Sequence, residues 1–226
     1  GQRVISLLIL LAVILSTAMT TAAGWSIGVL SAMRLQQAVT IGGDRYATFL
    51  QMEEAQAKKL EKDGRLSFAG RYVTLGVTEV SDFLSLGLNE FQEDVEAVYP
   101  SLARVKEGRL PKAPMEIALP ERVLGYLGAE GEIGERILLD FSKALRHGIE
   151  TEEYEASAEF VLVGILEENY LNDIGGGVMG IVGEGTAKML LPERYLYYNV
   201  DIRTGDKKTF QDTMDELIEA LSVHEL

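Results

Sequence analysis

Hydrophobic and polar positions divide this chain into two unlike parts. From Val4 to Met33 no side chain is ionisable, and thirteen of residues 4–30 are Leu, Ile or Val. The pattern predicts one helix of about 45 Å at 1.5 Å per residue, longer than the ~30 Å hydrocarbon core of a bilayer. Trp25 stands late in the run, where an interfacial aromatic belongs. A cleavable signal peptide is the rival reading, because Val4–Leu15 has the length of an apolar signal core and "TAAG" offers small residues. The uncharged run continues for ten residues beyond Ala23, which favours a retained membrane helix over cleavage and over a buried soluble helix. The membrane and signal readings both place everything after residue 35 or so outside the cytoplasm.

Beyond the run, polarity alternates in shorter segments. "RYATFLQM" (45–52) reads as a strand, "EEAQAKKLEKDG" as a short helix with an i,i+4 pair of Glu54 and Lys58 and with Gly64 as its closing residue, and "SFAGRYVTLGV" (67–77) as a second strand. This is a βαβ-type unit. Near the end "RYLYYNVDI" (194–202) reads as a strand and "TGDKK" as a turn. Thr209 with Asp212 suggests a capping box for a helix carrying Phe210, Met214, Leu217, Ile218 and Leu221 on one face. Between the two ends the chain is dense in Gly and β-formers. "RILLDF" and "YEASAEFVLVGIL" (154–166) read as strands, and "LPERVLGYLG" as a helix with Pro120 at its start and Gly128 past its end. The expected architecture is α+β: a transmembrane helix and connection (1–38), a discontinuous α+β subdomain (39–100 plus 191–226), and an inserted β-rich subdomain (101–190).

Composition narrows the function. Hydrophobic residues make up 47%, enough for a core. The formal net charge is −14, and setting aside Arg3 and Arg34 leaves 19 basic against 35 acidic groups in residues 35–226, a net −16. Such an excess of carboxylates argues against nucleic acid and against docking on an anionic leaflet. With no cysteine there is no disulfide, thiol nucleophile or thiolate metal site.

Candidate chemistry is sparse. Arg109 and Glu116 in "EGRLPKAPMEIALP" invite reading as an acid–base pair, but no histidine or nucleophile lies nearby in sequence. Turn and strand-entry roles, stiffened by Pro111 and Pro114, fit better. "GGGVMG" (175–180) satisfies a dinucleotide-type glycine spacing without a strand immediately before it, and reads as a flexible loop or hairpin tip. His147 and His224 are far apart in sequence and read as surface residues. The carboxylates of "ETEEYE", "LEEN" and "NEFQEDVE" lack the spacing of a calcium loop and read as solvated faces. "MEEAQAKKLEKDG" is too thin in apolar residues for a partner-binding helix. No catalytic, cofactor-binding or metal-ligating residue is assigned.

The order of short motifs carries more. Gly108-Arg109-x-Pro111, then Glu116-Ile117, a helix ending Leu127-Gly128, then Ile133-Gly134-Glu135, and a strand ending Val163-Gly164-Ile165 together resemble the extracytoplasmic core domain of FtsX-like ABC-transporter permeases, the MacB type. The flanks agree: an apolar N-terminal helix, a "GGDRYATF" entry and a strand–helix exit. The resemblance implies a discontinuous porter-like α+β subdomain with a β-rich insertion, set between the first two of four membrane helices. It also implies a cytoplasmic ATP-binding subunit, a second permease copy or homologue, membrane lipid around the helix, and a plasma-membrane location. Without G-x-x-x-x-G-K-[ST], the chain itself is not expected to bind ATP. Two other readings belong to other classes: a single-pass anchored interaction or regulatory module without transport, and an exported enzyme using carboxylates as acid and base.

Overall fold

The computed structural model describes residues 47–92, 95–99, 102–147, 150–168, 177–205 and 210–221. The expected helix of Val4–Met33, the Thr209 cap, His224, the His147 side chain, Gly175 and Gly176 lie outside what is described. Among the described residues no helix is long and apolar enough to cross a membrane.

Nine strands form one mixed sheet: β1 (Ala47–Met52), β2 (Leu66–Ser81), β3 (Leu84–Phe91), β4 (Val105–Gly108), β5 (Glu116–Pro120), β6 (Arg136–His147), β7 (Glu150–Leu166), β8 (Gly177–Val182) and β9 (Tyr198–Thr204). The helices are α1 (Glu54–Glu61), α2 (Val95–Val98), α3 (Glu121–Leu127), α4 (Thr186–Leu190) and α5 (Phe210–Leu221). The fold class is α+β, as expected, and the described residues are dominated by one mixed sheet.

The strand–helix–strand unit at the start is opened by the end of the chain. β9 pairs antiparallel with both β1 and β2, so β1 and β2 run parallel with β9 between them. β9 begins at Tyr198, later than the expected 194, because Pro192 starts a 3-10 turn over Glu193–Tyr195. That turn buries Tyr195 against the Tyr154 ring at 5.2 Å.

Beyond β2 the pairings close a circuit: β2–β3, β3–β8, β8–β5, β5–β7, β7–β6 and β6–β2. Strict alternation fills its inside. Leu84, Leu86 and Leu88 of β3, Ile137, Leu139 and Phe141 of β6, and Phe160 and Leu162 of β7 are buried in one cluster. The same cluster receives Ala57 and Leu60 of α1 and Leu217 and Leu221 of α5, with Met214 and Ile218 packed on it. Four of the five residues of the expected face of α5 are thus packed on the core, and the Phe210 side chain lies outside what is described. A second cluster on the other side of the sheet joins Val95, Tyr99, Leu102, Ala103, Ala118, Leu166 and Ile181.

Local signals mostly act as expected. Glu54 and Lys58 pair at 2.8 Å. Pro120 caps α3, and Gly128 ends it in the left-handed region at φ 68°. Gly64 does not close α1, which ends at Lys62 with an ordinary negative φ of −93°. "GGGVMG" is corrected as well. Gly177 to Gly180 are strand, paired in parallel with Ser85–Leu88, because Val178 supplies a core side chain and Gly180 lets Leu86, Leu88 and Leu119 pack against its backbone.

Candidate functional site

The stretch singled out by its motifs folds into a clamp between β4 and β5. Arg109 N donates to Val163 O at 2.8 Å, continuing the β4–β7 ladder. The chain then turns through Pro111 and Pro114, and Met115 takes a left-handed φ of 64°. For a bulky non-glycine residue that conformation is strained and must be held. Thr186 Oγ1 does so, accepting from Met115 N at 3.0 Å while donating to Gly183 O at 2.6 Å.

Glu116 organises the turn. One carboxylate oxygen accepts from Lys112 N at 2.8 Å and Ala113 N at 3.0 Å, and both oxygens face the Arg109 guanidinium in a two-pronged ion pair. Arg109 first, and then the two backbone donors, draw the Glu116 pKa from the ordinary 4.5 to about 2, against burial, which pushes it up. A general base works best with a pKa near the working pH. A carboxylate this acidic and this fully bonded is suited to holding a turn. Arg109 stays charged throughout, its pKa raised chiefly by Glu116.

Two glycines let the clamp close. A Cβ on Gly164 would stand 2.2 Å from Arg109 O, and one on Gly183 would stand 1.8 Å from Ala113 O. Both obstacles are backbone carbonyls, which cannot swing aside. Ile133, Gly134 and Glu135 join the same neighbourhood: Gly134 N donates to Leu162 O at 2.8 Å, and Glu135 accepts from Glu130 N and Gly131 N. Residues of four of the five scattered motifs therefore meet in space as backbone supports, while Leu127-Gly128 ends its own helix.

Beside the clamp lies a cleft of about 630 Å³. Phe91, Val95, Val105 and Ile181 give it apolar walls, and Arg109, Lys112, Glu96 and Glu184 line it too.

Two charged residues escaped the sequence reading. Glu90, placed there on a solvated face, is 3% exposed. Its carboxylate accepts from Gly185 N at 3.0 Å, Ala187 N at 2.6 Å and Gln92 Nε2 at 2.7 Å, and so fixes the start of α4. Lys143 is equally buried. Glu152, Glu153 and Glu155 of "ETEEYE" and Glu167 and Glu168 of "LEEN" are exposed as expected. Among the described residues no group of three or more His, Asp or Glu is placed to hold a metal ion.

Lowering the pH tests the clamp. The Glu116 pKa is depressed on folding, so its contribution is complete above about 4.5 and is lost as pH falls toward 2. Urea unfolding midpoints measured from pH 5 to 2 should fall more steeply for the native chain than for Glu116→Gln. Parallel slopes would mean that the ion pair contributes nothing.

No protein-family model and no curated protein matches the sequence. Solved structures do. The chain is similar to the extracellular domain of the noncanonic ABC-type transporter YknZ from Gram-positive bacteria, at 12% identity, over 77% of this chain and 87% of that one, with a TM-score of 0.50. Weaker likenesses are to the periplasmic region of MacB from Actinobacillus actinomycetemcomitans (14% identity, 76% of this chain and 75% of that one, TM-score 0.47) and to a domain of a putative permease protein from Porphyromonas gingivalis (11%, 76% and 78%, TM-score 0.44). The resemblance to permease extracytoplasmic domains read from the motifs is borne out at the level of the fold.

Proposed function

We propose that this chain is the first membrane helix and the extracytoplasmic domain of an ABC-transporter permease in the plasma membrane. The observation that carries the reading is the fold likeness extending over 87% of the YknZ extracellular domain. In this reading residues 1–38 are the helix and its connection, 39–100 with 191–226 the porter-like subdomain, and 101–190 the insertion. The place of β9 between β1 and β2 favours that discontinuous arrangement. A cytoplasmic subunit binds and hydrolyses ATP, a second permease copy or homologue completes the pair, and this chain itself catalyses nothing and holds no cofactor. ATP-driven motion of the membrane helices is passed to the exported domain, where it exports or extracts a substrate or signals across the membrane.

Mechanical coupling requires a stiff connection between helix and domain, and Arg34 to Gly43 is short. A flexible Gly/Ser insertion there is expected to leave ATP hydrolysis by the assembled transporter running while its transport or signalling output is lost. Output undiminished in that variant overturns mechanical coupling.

A further inference from the structure

The circuit of strands is closed unevenly. β2 and β3 share eight paired positions, and β6 and β7 twelve, but β2 and β6 meet at one pair, Val77 with Ser142. Gly76 lies so close to this point that a Cβ would stand 2.6 Å from Ser142 O. Side chains do the remaining stitching. Lys143 Nζ reaches from β6 to donate to Thr74 O on β2 at 2.6 Å, and Tyr197 donates its hydroxyl to Ala144 O at 2.6 Å. The Lys143 amine also sits 4.0 Å from the centre of the Tyr197 ring.

Among the described residues no carboxylate pairs with this buried amine. On the same face of β7 its cross-strand neighbour is Tyr154, whose hydroxyl goes to Leu190 O, and Glu152 further along is paired with Arg194 at 3.4 Å. From the segment before β9 it faces Tyr197, backed by Tyr195, both phenols. The acidic groups nearest in sequence and register, Glu79 of β2, Asp140 of β6 and Glu155 of β7, alternate onto the opposite face and line a shallow depression there with Val77 and Ser142. Among the described residues the amine therefore has a carbonyl and a ring for company, and no countercharge.

We propose that Lys143 makes the β2–β6 seam a pH-responsive closure, held shut while its amine is neutral and loosened when the amine takes up a proton that only opening can hydrate. Burial alone lowers the Lys143 pKa to about 7 from the ordinary 10.5. The sign follows from linkage. Between about pH 7 and 10.5 the closed seam binds fewer protons than the opened one, so closure strengthens as pH rises and is weakest at and below neutrality. This inference does not depend on the transport reading.

Amide hydrogen exchange on the full chain, corrected for intrinsic rates, tests it. Peptides covering 72–80 and 138–146 should gain protection by up to about tenfold per pH unit between pH 7.5 and 9. Lys143→Met should be flat with pH in the same peptides. Lys143→Arg, always charged, should be flat and weakly protected. A slope that persists in Lys143→Met overturns the proposal. So does an equal slope in peptides over 116–127, which would mark global unfolding in place of seam opening.

Discussion

Replacing Gly183 with alanine should destabilise the domain by about 3 kcal/mol, at the upper end of what overpacking costs. The new methyl would meet Ala113 O at 1.8 Å, with Ala113 C at 2.7 Å behind it. Relief requires the 112–116 turn to move, and that turn is tied down by Glu116, Arg109 and Thr186 together. For a domain of this size about 3 kcal/mol corresponds to a loss of roughly 6–12 °C in melting temperature. Gly125→Ala is the matched control. Nothing lies within 4 Å of its Cβ position, and it stands inside α3. It should raise stability by about 0.5–1 kcal/mol through helix propensity alone. Urea unfolding of the full chain, followed by circular dichroism, reads both. Two neutral results would mean that the close approach at Gly183 does not exist in solution.

Glu90→Ala is the second large effect. The substitution removes the acceptor of three donors: Gly185 N, Ala187 N and the Gln92 side-chain amide. Glu90 is only 3% exposed, so bulk water does not reach the donors it serves. Each stranded donor costs about 1–3 kcal/mol, so about 3 kcal/mol or more is expected in sum. Glu90→Gln keeps one oxygen to accept and should lose about 1 kcal/mol, mainly the charge at the start of α4. The ordering, native above Gln above Ala, is the checkable content. An alanine variant as stable as the native chain would mean that water enters and satisfies the two backbone donors.

These residues mark where the sequence was legible. The alternating frame Leu84, Leu86, Leu88 is easily read, as is the stripe of α5, because a period of two or 3.6 in apolar residues has one physical cause. Pro120 and Gly128 bracket α3 by restricting φ and by tolerating its left-handed region. Glu90 continues the frame of Leu84–Leu88, and Lys143 continues that of Ile137, Leu139 and Phe141. Letting charge outweigh frame puts Glu90 on a solvated face and passes over Lys143. Buried charges are rare unless paired, and here backbone donors hold the first while a carbonyl and a ring hold the second. The glycine run at 177–180 misled for a related reason. Its glycines suggested a loop, whereas a crowded sheet interior needs small residues where Leu119 and Leu86 converge on Gly180. The matching strand–helix units at the two ends announce that β9 joins β1 and β2, but its place between them was not legible, since the register of strands more than a hundred residues apart leaves no local trace.

The Arg109–Glu116 pair holds a different lesson. Two motif residues of opposite charge invite an acid–base reading, yet the geometry uses them to close a turn on which three separated segments converge. Rigidity of this kind suits a domain that transmits displacement, since a force applied at one end of a well-braced sheet is delivered at the other.

The most direct test follows a distance. The 226 residues contain no cysteine, so a single Leu138→Cys at an exposed position of β6 takes one spin label without background from this chain. In the proposed transporter, reconstituted with the proposed ATP-binding subunit, the account predicts that the distance between labels on the two copies of this domain changes between the nucleotide-free and ATP-trapped states, and that the Gly/Ser insertion between Arg34 and Gly43 abolishes that change. A distance unaltered by nucleotide in the uninterrupted protein, with ATP hydrolysis intact, would contradict the mechanical account.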